Sequence, residues 1–196
     1  MAAAIAEATA NTTANASAAK GVAGGYIFRA PIGSDEPTDI ESKLDAAYKC
    51  MGFISEDGVV FTTESDSEDI VDMNGDPIDS SRTSYLETFV CTLAEVKKSV
   101  LEGLYGSANV KDANGILDVS VKGTDPEHFA YVFELVLKNG RRWRRIVHDA
   151  QVSEMGDLTV KAGELFAREA TFKAFPNAEG EYYHDLFEST ETSKGA

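Results

Sequence analysis

The sequence predicts a mainly β domain with a helix at its flank. Two observations point there. Segments rich in Val, Phe and Thr, such as DGVVFTTES (57–65), SYLETFVC (84–91) and HFAYVFELVL (128–137), recur along the chain. Helical periodicity is confined to two stretches, at about 39–51 and about 92–104. A chain of 196 residues with 43% apolar content is long enough for one domain with a real core.

In order, residues 1–23 are low-complexity Ala, Thr, Asn and Ser, and read either as a loose tail or as an arm that orders against a neighbouring subunit. The central domain is expected over 24–176, and 177–196 forms an acidic C-terminal arm. GGYIFRAP (24–31) reads as a strand. Thr38-Asp39-Ile40-Glu41 has capping-box form, and Ile40, Leu44, Ala47, Tyr48 and Met51 follow at helical spacing, predicting a short helix. The strands at 57–65 and 84–91 are joined by an acidic loop or extended hairpin. Its carboxylates are Glu64, Asp66, Glu68, Asp69, Asp72, Asp76 and Asp79, with no Lys or Arg between them. Thr92 and Glu95 form a second capping box ahead of Leu93, Val96, Val100 and Leu104, with Gly103 and Gly106 as stops. Asn114-Gly115 marks a turn before the alternation Leu117, Val119, Val121. Residues 128–137 are apolar on both faces, as a strand covered on two sides would be, and some of that cover is expected from another chain. ELFAREATFKAF (164–175) has helical composition but poor periodicity.

A net charge of −15 argues against wholesale nucleic-acid binding. Cys50 and Cys91 lie in apolar runs and read as free buried thiols of a reducing compartment. No run reaches the ~20 apolar residues of a membrane span, so no membrane anchor is expected, and the Ala-rich start lacks a basic leader. DMNGDPID (72–79) opens like a calcium loop, but Pro77 and Thr83 stand where Gly and Glu are required. His128, His148 and His184 have no zinc-spaced partners, and no nucleophile, phosphate or dinucleotide motif occurs. No catalytic residue, metal ligand or cofactor is expected.

The succession GYIFRAPIGSDEPTD, LDAAYKCMGFISEDGVVF, SEDIVDMNGDPI, TFVCTLAEVKKSVLEGLYGSANV, FELVLKNGRRWRRIVHDAQVSEMGDLTV and TFKAFPNAEGEYYHDLF resembles the major tail proteins (tail tube proteins) of long, non-contractile-tailed bacteriophages, actinobacteriophage type, over roughly 24–187. It departs from them at Val71–Gly75, where an aromatic and Gly-Gly are common. The resemblance implies a β-sandwich or barrel-like domain with a flanking helix, a strand at 164–175, and homohexameric rings stacked into a tube. The long hairpin and terminal arms would contact neighbouring copies. Implied partners are further copies, a tape-measure protein and other tail proteins, with genomic DNA passing unbound; the location is the virion tail, assembled in the host cytoplasm. Other readings are a tail terminator, a head–tail joining ring, the tube of a phage-like injection machine or, remotely, a carbohydrate-active β-sandwich.

Four of the seven arginines fall within Arg141–Arg145 around Trp143. A two-residue Asn139-Gly140 turn would set Glu134 opposite Arg145 and Leu135 opposite Arg144. Alternation then splits the cluster, with Arg142 and Arg144 on one face, and these two are expected to meet the 64–79 carboxylates of neighbouring subunits.

Overall fold

The computed structural model describes Thr13 and residues 16–189. Its strands are β1 (Lys20–Gly21), β2 (Ile27–Pro31), β3 (Lys49–Cys50), β4 (Ile54–Val71), β5 (Pro77–Leu93), β6 (Val110–Ala113), β7 (Ile116–Val119), β8 (Phe129–Val136), β9 (Arg142–Met155), β10 (Arg168–Phe175) and β11 (Tyr183–Phe187), with one α-helix, α1 (Lys98–Tyr105). Nine strands form one antiparallel sheet ordered β3-β2-β8-β9-β10-β5-β4; β1 also pairs with β8 and β11 with β9. The fourteen residues of β9 serve two leaves. Its first half lies between β8 and β11, and its second half pairs with β10.

The sheet therefore curls over itself into a sandwich that does not close. Phe61 of β4 packs edge-on against Phe133 of β8 at 5.0 Å. Between the leaves Phe89 stacks on Phe172 at 4.6 Å and meets Tyr131 and Phe133 edge-on. The phenol of Tyr131 is fully enclosed, and burial raises its pKa far above the ordinary value. Helix α1 covers one end of this core with Val100 and Leu104. The buried Arg29 of β2 holds it there, donating to the Ser99 carbonyl at 2.8 Å, pairing with Glu102 and lying over the Phe129 ring.

Several expectations are corrected. Residues 39–51 form no helix and the expected Thr38–Glu41 capping box gives way to a turn held by Asp39, whose carboxylate accepts from the Glu41 and Ser42 amides at 2.7 and 2.6 Å. The chain instead runs across the outer face of β8, where Tyr48, Leu44 and Ala47 pack on Ala30, Val132 and Ile146. That packing outweighs the modest helix propensity of the segment. It also supplies within one protomer the second cover of β8 that was expected from another chain.

Likewise, β5 continues through Thr92 and Leu93, paired with Glu169 and Arg168, so α1 starts at Lys98 rather than after Thr92. Glu95 accepts from the Phe53 amide at 2.9 Å and pairs with Lys97, leaving the second capping box unformed. Residues 168–175 are strand, as the resemblance implied and against their composition, because Ala170, Phe172 and Ala174 alternate into the core. The Asn114-Gly115 turn is present between β6 and β7, with positive φ at both residues. Cys50 and Cys91 are unpaired; Cys91 is buried and Cys50 half-buried.

Candidate assembly surface

The acidic segment is the outer part of a β-hairpin. Strands β4 and β5 pair from Ile54 to Val71, while β10 leaves β5 at Thr88. Beyond the row of Thr62 and Thr88 the hairpin runs on as two strands for about 30 Å, at roughly 3.4 Å per residue. Its tip is a turn from Asp72 to Asp76, with Gly75 at φ 88° where an L-side chain would be strained. The Asp72 carboxylate accepts from the amides of Asn74 (2.8 Å) and Asp76 (2.9 Å). Those bonds, Asp76 first, hold its pKa below the ordinary carboxylate value.

Strand alternation sorts the seven carboxylates. Phe61 and Phe89 are opposed and face the core, so Val60, Thr62, Glu64, Asp66 and Glu68 face outward. Asp79, opposite Ile70, lies on the outward face too, whereas Asp69 points the other way and Asp72 and Asp76 sit in the turn. The same outward face carries Glu169 and Lys173 on β10 and Glu154 on β9. Along β4, β5 and β10 no outward residue from Val60 to Glu68, Ser84 to Thr92 or Glu169 to Lys173 is buried. The opposite leaf differs: its outward Ala30, Val132 and Ile146 are fully covered. One leaf is thus sealed within the protomer, and the other presents an open surface with Val60, Leu86 and Val90 among threonines at the body and carboxylates along the hairpin.

The arginine cluster is placed one residue differently from the expected register. The connection uses three residues, Lys138–Gly140, with the Leu137 amide bonded to the Arg141 carbonyl, so Glu134 faces Arg144 and Leu135 faces Trp143. The split into two faces holds, but the partners change. Arg144 is buried, with Nε donating to Glu134 at 2.8 Å, Nη2 to the Ser42 carbonyl at 2.9 Å and Nη1 to the Asp39 carbonyl. It pins the 39–48 segment to β9 and is not presented to a neighbour, contrary to expectation. Arg145 is bidentate to Asp185 of β11 and lies over the rings of Tyr183 and Phe61 at 4.1 and 4.3 Å; Trp143 Nε1 donates to the same carboxylate at 2.8 Å. Arg142 remains half-exposed, near Glu41 and the Ile40 carbonyl. The exposed apolar tip residues Ile70, Val71, Met73 and Ile78 were not singled out from the sequence, because they stand among carboxylates.

His128 contacts Asp149, and His148 contacts Glu36. Among the described residues no three His, Cys, Asp or Glu side chains cluster as a metal site, and no helix is long and apolar enough to cross a membrane. What the surface offers is a projecting hairpin and an uncovered leaf. A family model described as phage tail tube protein matches residues 12–192. The chain belongs to the phage tail tube protein family. No curated protein matches it. For a tail tube protein, a structural component of the virion tail, a projecting hairpin and one leaf left open are coherent.

Proposed function

We propose that this tail tube protein assembles as homohexameric rings that stack into the tube of a long-tailed phage, and that its open acidic leaf lines the bore through which the genome passes. The observation that carries this reading is the contrast between leaves. The outward side of β2 and β8 is sealed by 39–48, whereas the outward side of β4, β5, β10 and the end of β9 bears Glu64, Asp66, Glu68, Asp79, Glu154 and Glu169 against Lys173. A polyanion passing such a wall is repelled over roughly the 8–10 Å screening length of physiological salt, so it slides without adhering. Ring closure would also satisfy the free edge of β4. Assembly in the host cytoplasm around a tape-measure protein, with other tail proteins at the ends, belongs to the same reading.

The test is a virion carrying Glu64→Lys, Asp66→Lys and Glu68→Lys together. These outward side chains leave the core untouched, so tails of normal length are expected, with genome ejection slowed and the delay shrinking as salt rises. Normal ejection kinetics from such tails would count against the bore assignment.

A further inference from the structure

We infer that the direction in which the hairpin projects is fixed by a brace from the C-terminal part of the same chain, in which Tyr182 of the β10–β11 connection bears on Tyr85 at the hairpin root. The brace belongs to the single chain; only its use in assembly rests on the tube reading above. The way the root is built calls for it. The last residue of β5 that β10 pairs is Thr88, opposite Lys173, and from Glu87 outward the ribbon has only two strands. The cleft on the Tyr85 side, between the ribbon and residues 176–183, encloses about 630 Å³. A two-stranded ribbon above such a cleft has few contacts to hold its angle. Over about 30 Å of ribbon, a tilt of about 10° at the root displaces the tip by about 5 Å.

The Tyr85 and Tyr182 rings meet across this cleft, with centroids 5.1 Å apart. Each ring is held from behind. The Tyr85 hydroxyl donates to Glu87, a buried carboxylate that also accepts from Thr63 Oγ1 at 2.9 Å on the opposite strand. One acid thereby ties the ring to both strands at the row where the third strand has ended. The Arg82 guanidinium lies over the same ring at 4.8 Å. On the other side the connection is a closed turn. Asn177 Oδ1 accepts from the amides of Glu179 and Glu181, each at 2.9 Å, and the Asn177 amide donates to the Glu181 carbonyl at 2.8 Å. Beyond it β11 is anchored on β9 through Asp185 and Arg145, whose guanidinium also lies over Tyr183. A path of fixed groups therefore runs from β9 through β11 and the turn to the hairpin root. A ribbon held at one angle needs little further ordering when it docks, so residues 176–187 act as a positioning element for assembly.

Electron paramagnetic resonance on the full chain decides it. Cys50→Ser removes the half-buried thiol, Cys91 stays in the core, and spin labels at Met73→Cys on the tip and Glu169→Cys on β10 report the distance from tip to body. The parent should give one narrow distance distribution. Tyr182→Ala should lose the narrow peak and give a broad distribution, with the thermal midpoint of the body retained as the check on folding. Tyr182→Phe keeps the ring and should keep the narrow peak. Asn177→Ala opens the turn without touching either ring and should broaden the distribution as Tyr182→Ala does; it decides by the same readout if Tyr182→Ala does not fold. A broad distribution in the parent, or a narrow one in folded Tyr182→Ala, overturns the inference, because the twist of the two strands alone then sets the hairpin. Either result leaves the tube reading standing.

Discussion

Arg144 shows how a single side chain fixes a long segment. Its guanidinium is buried with Glu134 and bonds the carbonyls of Asp39 and Ser42. Removing one partner of a buried pair leaves the other charge without compensation, a cost of about 3–5 kcal/mol. Arg144→Ala should therefore lower unfolding free energy by about that amount in urea titration, whereas Arg142→Ala, at a half-exposed site, should change it by less than about 1 kcal/mol. A double reversal of Arg142 and Arg144 would confound assembly with folding, so only Arg142 is usable as an interface probe. Asp39 and Asp72 supply a pH signature. Backbone amides, from Ser42 then Glu41 for Asp39 and from Asp76 then Asn74 for Asp72, hold both folded pKa values below the ordinary 3.8. A depressed carboxylate stabilises the fold above its unfolded pKa and loses that contribution as pH falls through the folded value. Amide protection at Ser42 and Asp76, taken relative to the intrinsic exchange rate at each pH, should thus fall only on acidification below about pH 4, with no change between pH 5 and 8 from these groups. Burial likewise pushes the Cys91 thiol up to about 12, so a thiol reagent at pH 8 should modify half-buried Cys50 and reach Cys91 only on unfolding.

At the scale of elements, the hairpin and the body are separable. The rows beyond Thr62 and Thr88 have no third strand, and the core residues Phe61, Phe89 and Phe172 lie below or beside them. Replacing residues 67–83 with a two-residue Asn-Gly turn, which joins the paired Asp66 and Ser84, should leave a folded monomer with its thermal midpoint nearly unchanged, while particle formation is lost. A collapse of the midpoint would show that the hairpin belongs to the body. The same elements show what the sequence could and could not convey. The hairpin turn at Asn114-Gly115, the strand composition of β5, the two-sided apolar run of β8 and the acidic segment are local patterns and were legible. At 38–41 the capping-box spelling instead gave an Asp39 turn, and Leu44, Ala47 and Tyr48 pack flat against Val132 and Ile146, which their helical spacing did not reveal. The one-residue difference at Asn139-Gly140 came from a three-residue turn, and register follows the turn. Which side of β4 each carboxylate takes depends on Phe61 meeting Phe133 across the sandwich, a long-range contact that no local pattern encodes.

For the whole molecule, the distribution of charge is the organising fact. Negative charge concentrates on the outer hairpin, whereas exposed cations such as Lys49, Lys98, Lys111, Lys122, Lys138 and Arg142 are spread over the body. Such polarity favours ordered head-to-tail association of copies over random clumping. Assembly should slow as salt rises from 0.05 to 0.5 M, as estimated from the shrinking Debye length (~14 to ~4 Å), with light scattering as the readout. The central claim is that the leaf of β4, β5 and β10 faces the bore of a tube. A helical reconstruction of assembled tails by electron cryomicroscopy tests it most directly. The account predicts stacked rings of six copies with Glu64, Asp66 and Glu68 on the inner wall and Tyr48 and Leu44 away from it. Rings in which that acidic strip faces outward, or is buried between stacked rings, would contradict it.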